Sequence, residues 1–209
     1  MAQVAPSLRR KPDVVADACQ GAAGGSVIEQ LTNAFLLFPE ARRHFVNRRR
    51  LKSRAVESLD DAREVFEVDF FAQAEMCRAF APILVANKGA FVNISSIGAI
   101  FCYPEYSTYS AAKAAMVIMT MGVRAELAKK GVFVACVYPG AVESRMSAKN
   151  KNPKTSAPDH ARQVFDAMKE GVEEIFAGNG ATAIRDAVHA DAKAFERNHI
   201  ERFNANPVS

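Results

Sequence analysis

At 209 residues, 49% of them hydrophobic, the chain can bury one sizeable core and reads as a single domain. No apolar run approaches the ~20 residues a membrane-spanning helix needs, and Met1 to Asp13 is polar with two prolines, unlike a secretory signal. The net charge of +4 is local, because Arg42, Arg43, Arg48, Arg49, Arg50, Lys52 and Arg54 crowd together without an acid, so a nucleic-acid reading rests on that patch alone.

In chain order, residues 1–55 form an atypical segment whose notable features are a glycine-rich stretch, Gly21 to Gly25, and the basic run. From Ser58 the pattern becomes regular. Ser58 with Asp61 three residues on predicts a helix N-terminus. Val65, Val68, Ala72, Met76, Ala79 and Ile83 recur at helical spacing and predict one apolar stripe to about Val85. Asn87-Lys88-Gly89 ends it, and Ala90 to Ser95 is a β-branched run of the kind that forms a buried parallel strand.

A loop with Gly98 and Pro104 leads to a predicted helix from about Ser107 to Lys130, closed by Gly131. Val132 to Tyr138 is the next buried strand. Ser144 to Pro158 is polar and reads as a mobile segment. A helix from about His160 to Glu174, a strand at Ile175-Phe176-Ala177 and a helix from Thr182 to Phe203 follow. Alternating strands and helices imply a parallel α/β sheet. Cys19, Cys77, Cys102 and Cys136 are scattered, without metal-ligand spacing, which points to free thiols in a reducing, cytoplasmic setting and to no metal site.

Tyr109-Ser110-Ala111-Ala112-Lys113 carries the chemistry. On a helix, positions i and i+4 share one face. A fixed cation beside a phenol favours the phenolate, which suits a general acid/base near neutral pH. Ser96 lies thirteen residues before Tyr109 and offers a hydroxyl for a substrate oxygen. Taken alone, each feature has a plain structural reading: a chance helix pair, and a hydroxyl capping a turn.

Together with Phe91-Val92-Asn93-Ile94-Ser95-Ser96 and Val134-Ala135-Cys136-Val137-Tyr138-Pro139-Gly140-Ala141-Val142-Glu143-Ser144, the motif resembles the short-chain dehydrogenase/reductase family, from about Val56 onward. The resemblance implies a Rossmann-like doubly wound parallel sheet, incomplete in its N-terminal half, and an NAD- or NADP-dependent oxidoreductase interconverting an alcohol and a ketone or aldehyde. Tyr109 would exchange the proton, Ser96 orient the substrate oxygen, and Lys113 tune Tyr109 and hold the nicotinamide ribose. Asp69 falls where the family has an asparagine, and a carboxylate there competes for the Lys113 ammonium. Pro139, Gly140, Val142 and Ser144 would meet the nicotinamide. A homodimer or homotetramer is implied, with the small face of Ala111, Ala115, Ile118 and Gly122 as an interface or as monomer core.

The N-terminal half departs from the family. In Gln20 to Val27, Gly21 and Gly25 would form the pyrophosphate turn, but Val27 stands where a last glycine is expected and crowds helix against strand. The third strand, its helix and the central fourth strand that the family places before Val56 have no counterpart. Residues 1–55 are therefore a truncated or rearranged half, or sequence foreign to the native protein. Arg48 and its neighbours are open to three readings: a grip on the NADP 2′-phosphate, a nucleic-acid contact, or a solvated segment; Phe45 alone interleaves them, which argues against nucleic acid. A family remnant that binds or dimerises without catalysis is the alternative to the enzyme.

Overall fold

The computed structural model describes residues 59–144, 147–148 and 151–205. Ser58, the glycine-rich turn with Gly21 and Gly25, and Arg48 lie outside them. Three strands, β1 (Ala90–Ile94), β2 (Phe133–Pro139) and β3 (Glu174–Ala177), form a parallel sheet with β2 in the centre. Phe91 pairs with Val134, and Tyr138 with Phe176. The helices are α1 (Leu59–Phe66), α2 (Ala72–Asn87), α3 (Ser107–Ala128), α4 (Ala157–Lys169), α5 (Ala181–Ala190) and α6 (Ala192–Ala205).

The central strand is apolar throughout because both of its faces are covered. Phe133, Ala135 and Val137 point to one face and pack with Val164 and Met168 of α4 and with Ile175 and Ala177 of β3. Val132 and Val134 point to the other, against Leu127 and Val123 of α3 and against Ala81, Leu84 and Val85 of α2. This is the doubly wound arrangement expected, and burying one such side chain contributes roughly 1.5–3 kcal/mol. Gly131 closes the turn after α3 at φ +82°, a left-handed conformation that glycine adopts without steric cost.

Three expectations need correction. The helix from Leu59 to Asn87 is not one uniform stripe: a π-helical turn, Glu67–Phe71, separates α1 from α2. A π turn inserts one residue and so shifts the phase of everything after it. The inward positions become Cys77, Ala81, Leu84 and Val85, while Ala79 and Ile83 face outward. The predicted 160–174 helix starts earlier, because Ser156 caps it by accepting from the Asp159 N–H at 3.2 Å, and ends earlier, at Lys169, ahead of Gly171 at φ +72°. The predicted 182–203 helix is two helices. Asp191 breaks it in an extended conformation and accepts from the Ala194 N–H at 2.8 Å. The face of α3 left open between interface and core is not core: Ile118 is 67% exposed, and Ala111 and Gly122 are exposed as well.

Candidate active site

The site is assembled where β1 ends and the side of α3 passes over it. Beyond Ile94 the chain keeps its strand direction for one more residue, since the Ser95 N–H reaches the Val137 carbonyl at 2.8 Å. The Ser95 hydroxyl donates to the Lys113 carbonyl at 3.0 Å, which ties the strand end to the middle of α3. Behind this joint, the buried Asn93 amide donates to Thr120 at 3.0 Å, and Thr120 donates to the Met116 carbonyl at 2.8 Å. Strand and helix are thereby held in one register by hydrogen bonds with little access to water, where their loss is costly.

Lys113 is buried, and an ammonium out of water requires partners. Its Nζ lies 3.0 Å from the Asp69 carboxylate and donates to the Ile94 carbonyl at 3.3 Å. The same Nζ is 5.8 Å from the centre of the Tyr109 ring, which is half-buried one turn earlier on the helix. Asp69 sits inside the π-helical turn, a distortion frequent at functional sites. Thus Asp69, Tyr109 and Lys113 meet although they come from two separate helices.

Ser96 starts the next turn. Its oxygen accepts from the Gly98 N–H at 3.1 Å, so the plain capping reading is correct as far as it goes. A hydroxyl that accepts one bond retains its own O–H donor. Tyr103 is a poorer acid/base than its position near the site suggests: burial, and then the charge of Glu105, push its phenol above the ordinary range.

Pro139 and Gly140 close β2 at the same carboxyl edge of the sheet. A Cβ on Gly140 would stand 2.2 Å from the Asn179 carbonyl oxygen and 2.9 Å from the Ala181 nitrogen. The glycine is therefore demanded by the turn after β3, independently of any ligand. Val142 is half-buried and bridged to Thr155. Ser144 is exposed and engages Ser147, which donates its N–H to the Ser144 hydroxyl at 3.1 Å.

Sequence reasoning did not single out Ser95 or the Ile94 carbonyl. Their partners lie on α3, and only the packing of α3 on β1 pairs them. Nor did it find Arg124, whose guanidinium reaches the Val134 carbonyl at 2.8 Å and the Glu174 carboxylate at 2.6 Å. A lone arginine on a helix that otherwise packs inward was the available signal. Among the described residues no helix is long and apolar enough to cross a membrane.

Comparison with known proteins identifies the family. The family profile for short chain dehydrogenase matches residues 48–155. A short chain dehydrogenase from Burkholderia cenocepacia J2315, solved in complex with NADP, superimposes with a TM-score of 0.67 at 35% identity, over 71% of this chain and 63% of that one. Short-chain dehydrogenase ptmH of Penicillium ochrochloron is 34% identical over 54% of this chain and 42% of its own length. Rat estradiol 17-beta-dehydrogenase 2 is 36% identical over 40% of this chain and 22% of its own. The chain belongs to the short-chain dehydrogenase family, a family of oxidoreductases, and spans less than half the length of these two curated relatives.

Proposed function

We propose that the chain is an NAD(P)-dependent oxidoreductase that interconverts an alcohol and a ketone or aldehyde. The observation that carries this reading is the Lys113 ammonium, buried and fixed 5.8 Å from the Tyr109 ring at the carboxyl edge of a parallel sheet. Open α/β sheets bind their ligands at that edge. The residues fit the nicotinamide end of a dinucleotide. Two of the three Lys113 N–H groups have acceptors among the described residues, which leaves one for a ribose hydroxyl. Pro139, Gly140, Val142 and Ser144 would line the same end, and Gly21, Gly25 and Arg48 would serve the phosphates. When bound, the dinucleotide accepts or returns the hydride.

The rest of the work falls to this chain's own groups. Ser96 donates its hydroxyl hydrogen to the substrate oxygen and so fixes the reacting carbon. Tyr109 takes the proton from an alcohol or returns it to a developing alkoxide, at its phenolic oxygen. Lys113 places positive charge 5.8 Å from the centre of the Tyr109 ring while Asp69 and the Ile94 carbonyl hold the ammonium still. Support for the cofactor comes from the NADP complex of the Burkholderia relative and from an NADPH-dependent 1-acyldihydroxyacetone phosphate reductase of Schizosaccharomyces pombe, 30% identical over 47% of this chain. Arg48 and its neighbours would favour NADP(H) over NAD(H). The substrate would be a small alcohol or carbonyl compound, and the exposed α3 face with Ile118 and Met121 would serve a homodimer or homotetramer. Free thiols at Cys77, Cys102 and Cys136 suit a cytoplasmic location.

A second reading, a family remnant that no longer binds dinucleotide, draws on the three-stranded extent of the described sheet. Fluorescence titration with NADPH and NADH separates the two. Saturable binding, weakened relative to an intact family member by the atypical glycine turn, supports the enzyme; no binding at millimolar dinucleotide supports the remnant. A carbonyl panel with NADPH then tests turnover.

A further inference from the structure

The π-helical turn places a carboxylate, 16% exposed, against an ammonium, 9% exposed, at 3.0 Å inside the candidate site. We propose that Asp69 is a positioning residue that clamps Lys113 and limits how much of its charge reaches Tyr109, so that oxidation of an alcohol, in which Tyr109 accepts the proton, favours higher pH than it would with an uncharged residue at this position. The inference rests on the oxidoreductase reading above for its kinetic half only.

The geometry is specific. A side chain on a regular helix would meet α3 in a different phase, and the residue added by the π turn is what sets the direction of Asp69. The carboxylate does two things at once. It engages one of three N–H donors, and with the Ile94 carbonyl on a second it immobilises a side chain that otherwise has four flexible bonds. It also places a negative charge behind the positive one. As seen from Tyr109, a bare cation becomes an ion pair, whose attraction for a developing phenolate is weaker.

Asp69 is the carboxylate at ion-pair distance from Lys113. β1 carries no ionisable side chain and presents a carbonyl; α3 presents Tyr109. On the helix that carries Asp69, Glu64 is half-buried one turn before the π segment, and Glu67 and Glu75 are exposed to solvent, where charge is screened. An asparagine at position 69 keeps an oxygen to accept from Lys113 and removes only the charge.

Two measurements on the full chain test the proposal. Without dinucleotide, Lys113 acetylation by acetic anhydride, followed by mass spectrometry at pH 8, should be several-fold faster in Asp69→Asn than in the parent, because the ammonium loses its counter-ion. An unchanged rate overturns the clamp. With NADP⁺ and an alcohol that is turned over, the acid limb of the kcat/KM profile for oxidation should move to lower pH in Asp69→Asn, with a gain of up to roughly ten-fold near pH 7 that fades at alkaline pH. Asp69→Ala, which removes the acceptor as well, should raise the KM for dinucleotide, and Asp69→Asn should restore it. A limb that stays in place, or equal losses at every pH in both variants, makes Asp69 merely structural and overturns the proposal. A Tyr109→Phe variant that keeps its rate defeats the oxidoreductase assignment instead, and the labelling result still decides the clamp.

Discussion

Tyr138, on the central strand, donates its hydroxyl hydrogen to one oxygen of Glu174 on the neighbouring strand. Arg124 holds the other oxygen of that carboxylate at 2.6 Å, so one residue of each strand and one of α3 are tied together. Burial first, and then the hydrogen bond to Glu174, push the Tyr138 phenol far above the ordinary tyrosine range. A folded-state value above the unfolded one gives stability that is complete below the unfolded value, near ~10, and is lost as pH rises beyond it. The urea midpoint should therefore fall above pH 10. Tyr138→Phe should cost about 1 kcal/mol at pH 8 and flatten the alkaline fall. Tyr103, raised by burial and by Glu105, adds a contribution of the same sign, so the fall should shrink without vanishing. Urea titrations of both proteins at pH 8 and pH 10.5 measure this, and an unchanged alkaline slope would refute it.

Tyr109→Phe should remove nearly all turnover of any substrate, by roughly 10²–10⁴-fold, the usual contribution of a general acid/base. The ring and its packing remain, so the thermal midpoint should move little. Tyr106→Phe is the control: its ring lies against Tyr103, with centroids 6.4 Å apart, and its loss should be nearly silent in rate. Steady-state rates of the two variants side by side decide where the site lies. More than a tenth of the rate surviving in Tyr109→Phe would move it elsewhere.

Gly140→Ala should destabilise the fold whether or not a dinucleotide is present. The new Cβ would stand 2.2 Å from a backbone oxygen, at Asn179, and backbone cannot swing aside as a side-chain tip can. Overpacking of this kind typically costs about 1–3 kcal/mol. Chemical denaturation without ligand is the measurement. A variant as stable as the parent would mean that the β3–α5 turn yields more easily than its packing indicates.

Thiol reactivity should separate the cysteines of the described residues. Cys136 is buried, and burial, followed by the charge of Glu174, pushes its thiol up to about 11. Cys102 is exposed, although partial burial raises it too. Since the thiolate is the reactive form, maleimide at pH 7.5 should modify Cys102 well before Cys136, with the order read by peptide mass spectrometry. Early loss of Cys136 would indicate that β2 opens locally.

The parallel α/β order was legible because it is written in local periodicity. A β-branched run bounded by turn residues forms a strand, and an apolar run such as Val132 to Tyr138 fits only a strand covered on both faces. The Tyr109–Lys113 pair was legible for the same reason, since both residues lie on one helix. The breaks were less legible. The Asp191 cap was written in the sequence, but apolar periodicity running past it masked it; the Ser156 cap, with Asp159 three residues on, lay inside the polar Ser144 to Pro158 stretch that reads as a mobile segment. Nothing in the composition of Glu67 to Phe71 marks a π turn, whose formation depends on what the helix packs against.

The chain by itself determined the order of the strands and the identity of the paired phenol and amine, because each is carried by residues within a few turns of one another, and the family through the spacing of three motifs between Phe91 and Ser144. Tertiary structure alone decided that Asp69 meets Lys113, that Ser95 holds the Lys113 carbonyl and that Arg124 joins Tyr138 through Glu174. Those contacts cross between elements distant in the chain. Their geometry depends on the phase of the helix after its π turn and on the register of three parallel strands, and neither is fixed by local propensity.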